Sequence, residues 1–309
     1  MSSIMWVDFL AATVQAGTPL LLAASGEMMA ERSGIMNLGA EGMMLMGAVS
    51  GFLVTVVSGN HWWGVAAALA AGGLMALLHA FITITLRGTQ VASGLALAIF
   101  GAGLSSFLGK NYVGTPLDDR FNTLAIPGLA KVPVLGPILF RQDALVYISF
   151  IIVPLLYFVL YKSSWGLALR AVGDDPATAD ATGINVTRMR YFNTILGGAL
   201  AGLAGAYLSL AFAPAWIENM TSGRGWIALA LVMFGLWNPW RIMLGAYLFG
   251  GVEALTFRLQ TAGVTISPLL LQMLPYLLTI LVLVAAVRRN QEEAGPPAAL
   301  GLPYHREDR

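Results

Sequence analysis

Cysteine is absent from the 309-residue chain, and only 11% of its residues are charged. Without cysteine the chain forms no disulfide and offers no thiolate to a metal, and His61, His79 and His305 lack the spacing of metal ligands. The net charge of +1 comes from scattered cations, whereas nucleic-acid binding needs clustered Lys and Arg. The composition therefore argues against redox, zinc and nucleic-acid-binding functions.

Long apolar runs dominate what is present, since 57% of the residues are hydrophobic. A helix needs about 20 mostly apolar residues to cross the hydrocarbon core. Such runs lie near residues 8–30, 34–57, 62–86, 89–109, 142–161, 191–213, 240–257 and 268–287. The run WIALALVMFGLW, at 226–237, is too short for an ordinary crossing and indicates a broken or re-entrant helix. We therefore predict an all-α integral membrane protein, in which residues 1–290 form a polytopic bundle of about eight to nine transmembrane or partly re-entrant helices.

The cations set the orientation of this bundle, because cytoplasmic loops collect Lys and Arg. Most of the 17 Lys and Arg residues fall on the side that holds Arg32 and the segment 162–190, which makes that side cytoplasmic. The proline-bearing stretch 110–141 is then an ordered extracytoplasmic loop. The N-terminus lacks a basic start, so we expect it to remain as the first membrane element. The polar tail 291–309 is expected to be disordered and cytoplasmic.

Small residues recur along the apolar runs. Gly47 and Gly51 stand four apart, as do Gly198 and Gly202. This spacing lets helix backbones approach closely in lipid, where packing replaces the hydrophobic effect as the driving force. We favour a tight bundle within one chain over a dedicated dimer seam.

Polar residues interrupt the stretch GEMMAERSGIMNLGAEGMMLMGA. Asn37 and Glu41 stand four apart and are expected to share one helical face, with Gly34, Gly39 and Gly42 nearby to permit a break. Polar groups at membrane depth are costly and normally face a cavity or a partner. One interpretation is a midplane binding site, in which an open helix end offers N–H donors to an oxygen-rich solute. The alternative is a structural, hydrogen-bonded kink.

Other polar residues extend this candidate path. Arg32 either pairs with Glu27 or Glu31 or lies in a solvated turn. Gln90 is an isolated amide, which serves either the solute or the packing of helices. The segment PAWIENMTSGRGW, at 214–226, either lines the outer mouth or forms an ordinary wet loop. The candidate substrate path comprises Asn37, Glu41, Glu27, Gln90, Glu218, Asn219 and Arg224.

The longest polar interruption contains a short helix pattern at residues 174–182. Asp174 or Asp175 is the expected N-cap, Pro176 occupies the first turn, alanines follow and Gly183 ends the helix. Arginines flank this pattern on both sides. This pattern predicts a short, rigid helix that projects from the cytoplasmic face, which we call the knob. A simple linker would not need residues in this sequence.

The segment AVGDDPATADATGINVTRMRY, together with GEMMAERSGIMNLGAEGMMLMGA and TSGRGWIALALVMFGLWNPWRIMLGAYLFG, resembles the permease subunits of bacterial ABC importers for nucleosides and simple sugars. The larger group includes ribose and branched-chain amino acid permeases, and the resemblance covers residues 17–287. It implies a related or identical second permease, an ATP-binding subunit and an extracytoplasmic solute-binding protein. It also implies that the cytoplasmic segment couples to the ATPase through Arg170, Asp174, Asp175, Pro176, Ala177, Ala181, Gly183, Ile184, Asn185 and Arg188.

The resemblance implies a transport subunit in the bacterial inner membrane, with no catalytic residue, no metal and no cofactor of its own. No GxxxxGK[ST] motif occurs, so ATP is expected on the partner subunit. We expect a nucleoside or simple sugar as solute. Trp216, Trp226 and Trp237 either stack on a base or anchor the interface. The alternatives are a branched-chain amino acid permease and a stand-alone secondary transporter or channel.

Overall fold

The computed structural model describes residues 3–117, 121–261 and 295–304, together with residues 270, 273, 274, 277, 278, 280, 281 and 284. Helices joined by short loops make up most of this part of the chain. The elements are α1 (Ser3–Arg32), α2 (Ala40–Ser58), α3 (His61–Ala80) with a π-helical extension (Phe81–Thr85), α4 (Gln90–Gly109) with a 3-10 turn (Lys110–Tyr112), β1 (Leu124–Ala125), a 3-10 turn (Leu129–Lys131), α5 (Leu135–Leu139), β2 (Arg141–Gln142), α6 (Ala144–Lys162), α7 (Ser164–Asp174), α8 (Pro176–Ala181), α9 (Val186–Tyr207) with a π-helical extension (Leu208–Phe212), α10 (Arg224–Phe234) and α11 (Pro239–Thr261).

Seven of the described helices are long and apolar enough to cross a membrane, which confirms a polytopic all-α bundle. They are α1, α2, α3, α4, α6, α9 and α11. The predicted broken helix is α10, which is 11 residues long. The predicted crossing at 268–287 lies largely outside the described residues.

The helix α9 lies at the centre of the bundle, packed against α1, α2 and α3. A Cβ atom at Gly198 would lie 2.6 Å from the carbonyl oxygen of Gly72, and Gly47 faces the backbone of Gly202. A Cβ at Gly51 would lie 3.3 Å from the Cβ of Ala206, a tight contact but without overlap. The glycines spaced four apart therefore serve packing inside this chain, as predicted.

One end of the bundle holds the start of α1 and the loop 110–141. Near the end of α11, the Arg258 guanidinium donates to the carbonyl oxygen of Met5 at 2.7 Å. Within the loop, β1 and β2 pair antiparallel, and the Tyr147 hydroxyl donates to the Leu124 carbonyl oxygen at 2.8 Å. The loop is thus ordered by short turns and one small hairpin.

The opposite end carries α7, α8 and part of the C-terminal tail. The N–H of Ala299 donates to the carbonyl oxygen of Gly173 at 2.9 Å, and both Pro297 and Ala299 are buried. The prediction of a disordered tail is therefore wrong for residues 295–304, whose prolines and alanines find an apolar surface to cover. Residues 291–294 and 305–309 of that predicted tail lie outside the described residues.

Candidate functional site

Between α1 and α2 the backbone leaves the helical path at residues 33–39, which we call the elbow loop. Gly34 has φ +89°, a left-handed conformation that favours glycine, and α2 begins only at Ala40. Asn37 therefore lies in the loop, and the prediction that Asn37 and Glu41 share one helical face is wrong. The predicted glycine-permitted break is present.

Side chains from three helices satisfy the backbone of the elbow loop. The N–H of Asn37 donates to Oε1 of Glu27 at 2.9 Å, and the N–H of Met36 donates to Oε1 of Gln90 at 2.7 Å. The His79 ring lies 3.1 Å from the Met36 carbonyl oxygen and 3.0 Å from the Ser93 hydroxyl. Non-helical backbone at membrane depth is tolerated only where protein or a watery cavity satisfies it. The loop is built in this way by α1, α3 and α4.

The amide of Asn37 is directed into the loop. Its oxygen accepts the N–H of Gly39 at 3.1 Å, and its nitrogen lies 3.3 Å from the sulfur of Met43. Sulfur is a weak acceptor, so the amide retains donor capacity. The Gln90 side-chain nitrogen is buried without a hydrogen-bond partner in the described structure. Two amide donors are thus held near the start of α2.

Glu41 reaches from the first turn of α2 to the start of α10. Its carboxylate accepts the Thr221 hydroxyl at 2.5 Å, the Gly223 N–H at 2.8 Å and the Gly225 N–H at 2.6 Å. A carboxylate at a helix N-terminus satisfies free N–H groups and complements the helix dipole. The N–H groups at the start of α10 are therefore satisfied by a side chain of α2, whereas the start of α2 itself, at Gly39, has no side-chain cap.

A second group of the predicted path residues lies next to this contact. Arg224 forms an ion pair with Glu253 of α11. A cavity of about 240 Å³ lies beside it, and its lining includes Glu218, Asn219 and Arg224. Glu218 and Asn219 are exposed, and Asn219 has a left-handed φ of 53°. The structure thus forms two polar regions, one at the elbow loop and one at this cavity, with Glu41 between them.

The turn that follows α10 is held by side chains of α1 and α6. The Trp237 indole N–H donates to Oε2 of Glu31 at 2.6 Å, and Arg32 donates to the Tyr161 hydroxyl at 3.3 Å and to the Trp237 carbonyl oxygen at 3.4 Å. Among the described residues, Arg32 makes no ion pair with Glu27 or Glu31. It ends α1 directly before the turn at Ser33, is half-buried, and donates to two neutral oxygens, the Tyr161 hydroxyl and the Trp237 carbonyl.

The three tryptophans considered for base stacking differ in environment. Trp216 is fully buried and packs against Gly109, while Trp237 is 3% exposed and bound to Glu31. Neither is therefore an interfacial anchor. Trp226 is 38% exposed. Neither buried ring lines the described cavity of about 240 Å³ beside Arg224.

The segment 162–190 contains the predicted self-capped helix. Asp175 is the N-cap of α8, and its carboxylate accepts the N–H groups of Ala177 and Thr178 at 3.1 and 3.0 Å. Hydrogen bonds from the hydroxyl and N–H of Thr178 hold the pKa of Asp175 below its ordinary value. Pro176 occupies the first position, and Gly183 follows the helix with φ +90°. This local structure agrees with the prediction.

The remaining coupling candidates surround α8. Asp174 ends α7, Asn185 caps α9 through the N–H of Arg188 at 2.8 Å, and Arg170 lies over the Tyr161 ring at 5.3 Å. The residues Ala177, Ala181, Asn185, Gly183 and Arg188 are exposed, and Ile184 is half-buried. A groove of about 680 Å³ runs beside them, lined in part by Asp180, Arg87, Tyr191 and Tyr304. The segment thus presents a rigid, largely exposed surface.

Sequence reasoning missed His79 and Ser93 as partners of the elbow loop, and it missed α7 as a separate helix. His79 and Ser93 lie in apolar runs with no neighbouring polar motif, so the sequence gives no sign that they meet. They come together only because α3 and α4 lie side by side in the fold. Among the described residues, no group of three or more His, Asp or Glu could hold a metal ion.

A polytopic bundle with a broken helix, a hydrogen-bonded elbow between two crossing helices and a capped knob at one end is typical of a membrane transport protein. Residues 9–283 match the family described as "Branched-chain amino acid transport system / permease component". The chain belongs to this family and is the permease subunit of an ABC importer.

Relatives match along nearly the full chain. It is 44% identical to a protein of Haloferax volcanii assigned provisionally as a glucose ABC transporter permease, over 96% of this chain and 97% of the relative. It is 36% identical to the guanosine ABC transporter permease protein of Bacillus subtilis, over 95% of each chain. It is 34% identical to a nucleoside ABC transporter permease protein of Lactococcus lactis, over 86% of this chain and 88% of the relative. No solved structure matches.

Proposed function

We propose that this permease subunit forms the translocation path for a nucleoside or a simple sugar. The solutes named for the Haloferax, Bacillus and Lactococcus relatives support this class over a branched-chain amino acid. The observation that carries the proposal is the elbow loop, where Asn37 and Gln90 hold amide donors beside the start of α2. Hydroxyl-rich solutes are recognised by such donors and acceptors.

The solute moves between the cavity at Glu218, Asn219 and Arg224 and the elbow loop at Asn37. Glu41 separates these regions and holds α10 in place, while Glu27 and Gln90 shape the loop. The solute therefore meets polar groups on both sides of the fixed contact between Glu41 and the start of α10. This arrangement suits a path that opens to one side at a time.

Energy enters from a separate subunit in this proposal. An ATP-binding subunit docks on α8 and its surroundings, and ATP is bound and hydrolysed there, so this chain needs no cofactor. A second permease, related or identical, completes the path, and an extracytoplasmic solute-binding protein delivers the solute. The assembly lies in the bacterial inner membrane. A stand-alone transporter or channel has no use for an exposed, self-capped knob on one face.

Uptake by the reconstituted complex tests the solute path. Labelled guanosine, ribose, glucose and leucine are offered to proteoliposomes that contain the wild type or Asn37→Ala. We expect saturable uptake of a nucleoside or sugar, lowered about tenfold or more in Asn37→Ala by loss of a buried polar contact. The exposed loop variant Asn122→Ala is the matched control. Saturable uptake of leucine alone, or full transport by Asn37→Ala, contradicts the proposal.

Co-purification tests the docking surface. Gly183 has φ +90° and open space around its Cα, so Gly183→Ala strains the backbone behind α8 without a clash. We expect this variant to retain less ATP-binding subunit than the wild type. Gly59, with φ +65° and equal space at the other end of the bundle, supplies the control Gly59→Ala. Equal retention by both variants argues against docking on α8.

A further inference from the structure

Residues 295–304, which we call the C-terminal strap, contact three separate elements on the cytoplasmic face. The strap turns at 298–301, where the N–H of Leu300 donates to the Pro297 carbonyl oxygen at 2.9 Å. Tyr304 then packs against an apolar cluster that includes Val172, Ala179 and Val186. Such specific contacts indicate that the strap is a folded part of the protein and not a loose tail.

The first contact is with the end of α7. The Ala299 N–H donates to the Gly173 carbonyl oxygen at 2.9 Å, two residues before the α8 cap Asp175. A Cβ at Gly173 would lie 3.2 Å from the Cβ of Pro297, so the strap packs directly on this turn. The strap is therefore attached to the base of the knob.

The second contact is with the elbow loop. The Gly301 N–H donates to the Gly34 carbonyl oxygen at 3.1 Å, three residues before Asn37. Through this bond and the bond at Gly173, one short segment links the base of α8 to the loop that carries the candidate solute contact.

Arg190, in the first turns of α9, reinforces the junction. Its Nε donates to the Ser33 carbonyl oxygen at 3.1 Å, and its Nη1 donates to the Leu302 carbonyl oxygen at 3.2 Å. The residue is only 2% exposed, and a buried cation is held only where such acceptors surround it. The strap, the elbow loop and α9 thus share one buried cation.

We propose that the C-terminal strap transmits movement of the α7–α8 knob to the elbow loop, and so couples ATP hydrolysis to solute movement. This inference rests on the proposed function. Without the strap, α7 and the elbow loop lose the hydrogen bonds that Ala299 and Gly301 donate to them. Only the direct packing of Gly173 against the Arg32 carbonyl then links the knob to this loop, so residues 33–39 follow the knob less. Docking of the ATP-binding subunit is expected to persist as long as Tyr304, which lines the groove beside α8, stays in place.

The test compares Ala299→Pro with the wild type, each reconstituted with its partners. Ala299→Pro removes the N–H donated to Gly173 and keeps Tyr304 in the chain. We expect both to retain the ATP-binding subunit and its ATP hydrolysis. Uptake per ATP hydrolysed is expected to fall about fivefold or more in Ala299→Pro, a typical size for lost coupling. Ala298→Pro, at the exposed neighbouring position, is the control and is expected to match the wild type.

Unchanged uptake per ATP in Ala299→Pro overturns the proposal. Loss of the ATP-binding subunit from Ala299→Pro also overturns it, because the contact at Gly173 would then belong to the docking surface. If Ala299→Pro fails to reach the membrane, a chain ending at residue 294 decides, by the uptake per ATP of the complexes that still hold the ATP-binding subunit. Failure of the proposed function is distinguishable, because the wild-type complex itself would then show no uptake or would not retain the ATP-binding subunit.

Discussion

The Glu41 carboxylate, in the first turn of α2, accepts the N–H of Gly225, in the first turn of α10, at 2.6 Å. A Cβ on Gly225 would lie 2.5 Å from the Cα of Glu41, so the two helix starts are in direct backbone contact. One acid from α2 thus caps a broken helix more than a hundred residues away in the chain. The position of α10, and with it the cavity at Arg224, depends on this contact.

Replacing Glu41 is expected to loosen α10. In Glu41→Ala the half-buried N–H of Gly223 and the buried N–H of Gly225 lose their acceptor, which costs about 1–3 kcal/mol for a buried unsatisfied group. Glu41→Gln keeps one acceptor oxygen and is expected to lose less. Thermal unfolding of the purified permease measures both, and Glu218→Gln, at an exposed acid, provides the control. Equal stability of Glu41→Ala and wild type contradicts the cap.

The tight packing of glycines around α9 leads to a second prediction, which concerns the stability of two glycine variants. Gly198→Ala places a Cβ 2.6 Å from the Gly72 carbonyl oxygen, so the helices must separate. Overpacking of this kind costs about 1–3 kcal/mol. Gly103→Ala, on α4 where no atom lies within 4 Å, instead gains helix propensity of about 0.5–1 kcal/mol. Opposite shifts of the unfolding midpoint are expected, and a stabilised Gly198→Ala would show that the helices do not meet there.

The hydrogen bond between Gln90 and the elbow loop leads us to expect different solute uptake by two variants of Gln90. Gln90→Leu removes the acceptor for the Met36 N–H, while Gln90→Glu retains an acceptor oxygen. We expect uptake to fall about tenfold in Gln90→Leu, from a loss of about 1–2 kcal/mol, and to recover in part in Gln90→Glu. The maximal rate and the apparent KM are measured separately. Identical kinetics for the two variants would mean that this hydrogen bond does not shape the path.

The helical architecture follows from local signals that act over short stretches. Apolar runs of bilayer length predicted the crossing helices, and the order Asp-Pro, alanines and Gly predicted the capped α8, because hydropathy and capping are properties of neighbouring residues. The short run at 226–237 likewise indicated a broken helix, observed as α10.

The contacts within the site depend on distant residues and were harder to predict. The spacing of Asn37 and Glu41 suggested one helical face, but Gly34 and the bonds to Glu27 and Gln90 delay the start of α2. Glu41 bonds to Gly223 and Gly225 across the bundle, which no local pattern specifies. The tail was misjudged for the same reason, because a polar composition does not reveal an acceptor such as the Gly173 carbonyl.

The last prediction concerns the pH dependence of α8. Because Thr178 holds the pKa of Asp175 below its ordinary value, the cap contributes local stability above the unfolded-state pKa of about 3.9 and loses it as pH falls through the lower folded-state pKa. Hydrogen-exchange protection of the peptide containing Ala177 and Thr178, corrected for intrinsic rates, is expected to decline below that range. Asp175→Asn should remove this decline, while Asp174→Asn, beside the cap, should keep it. A decline that persists in Asp175→Asn would assign the acid sensitivity to another group.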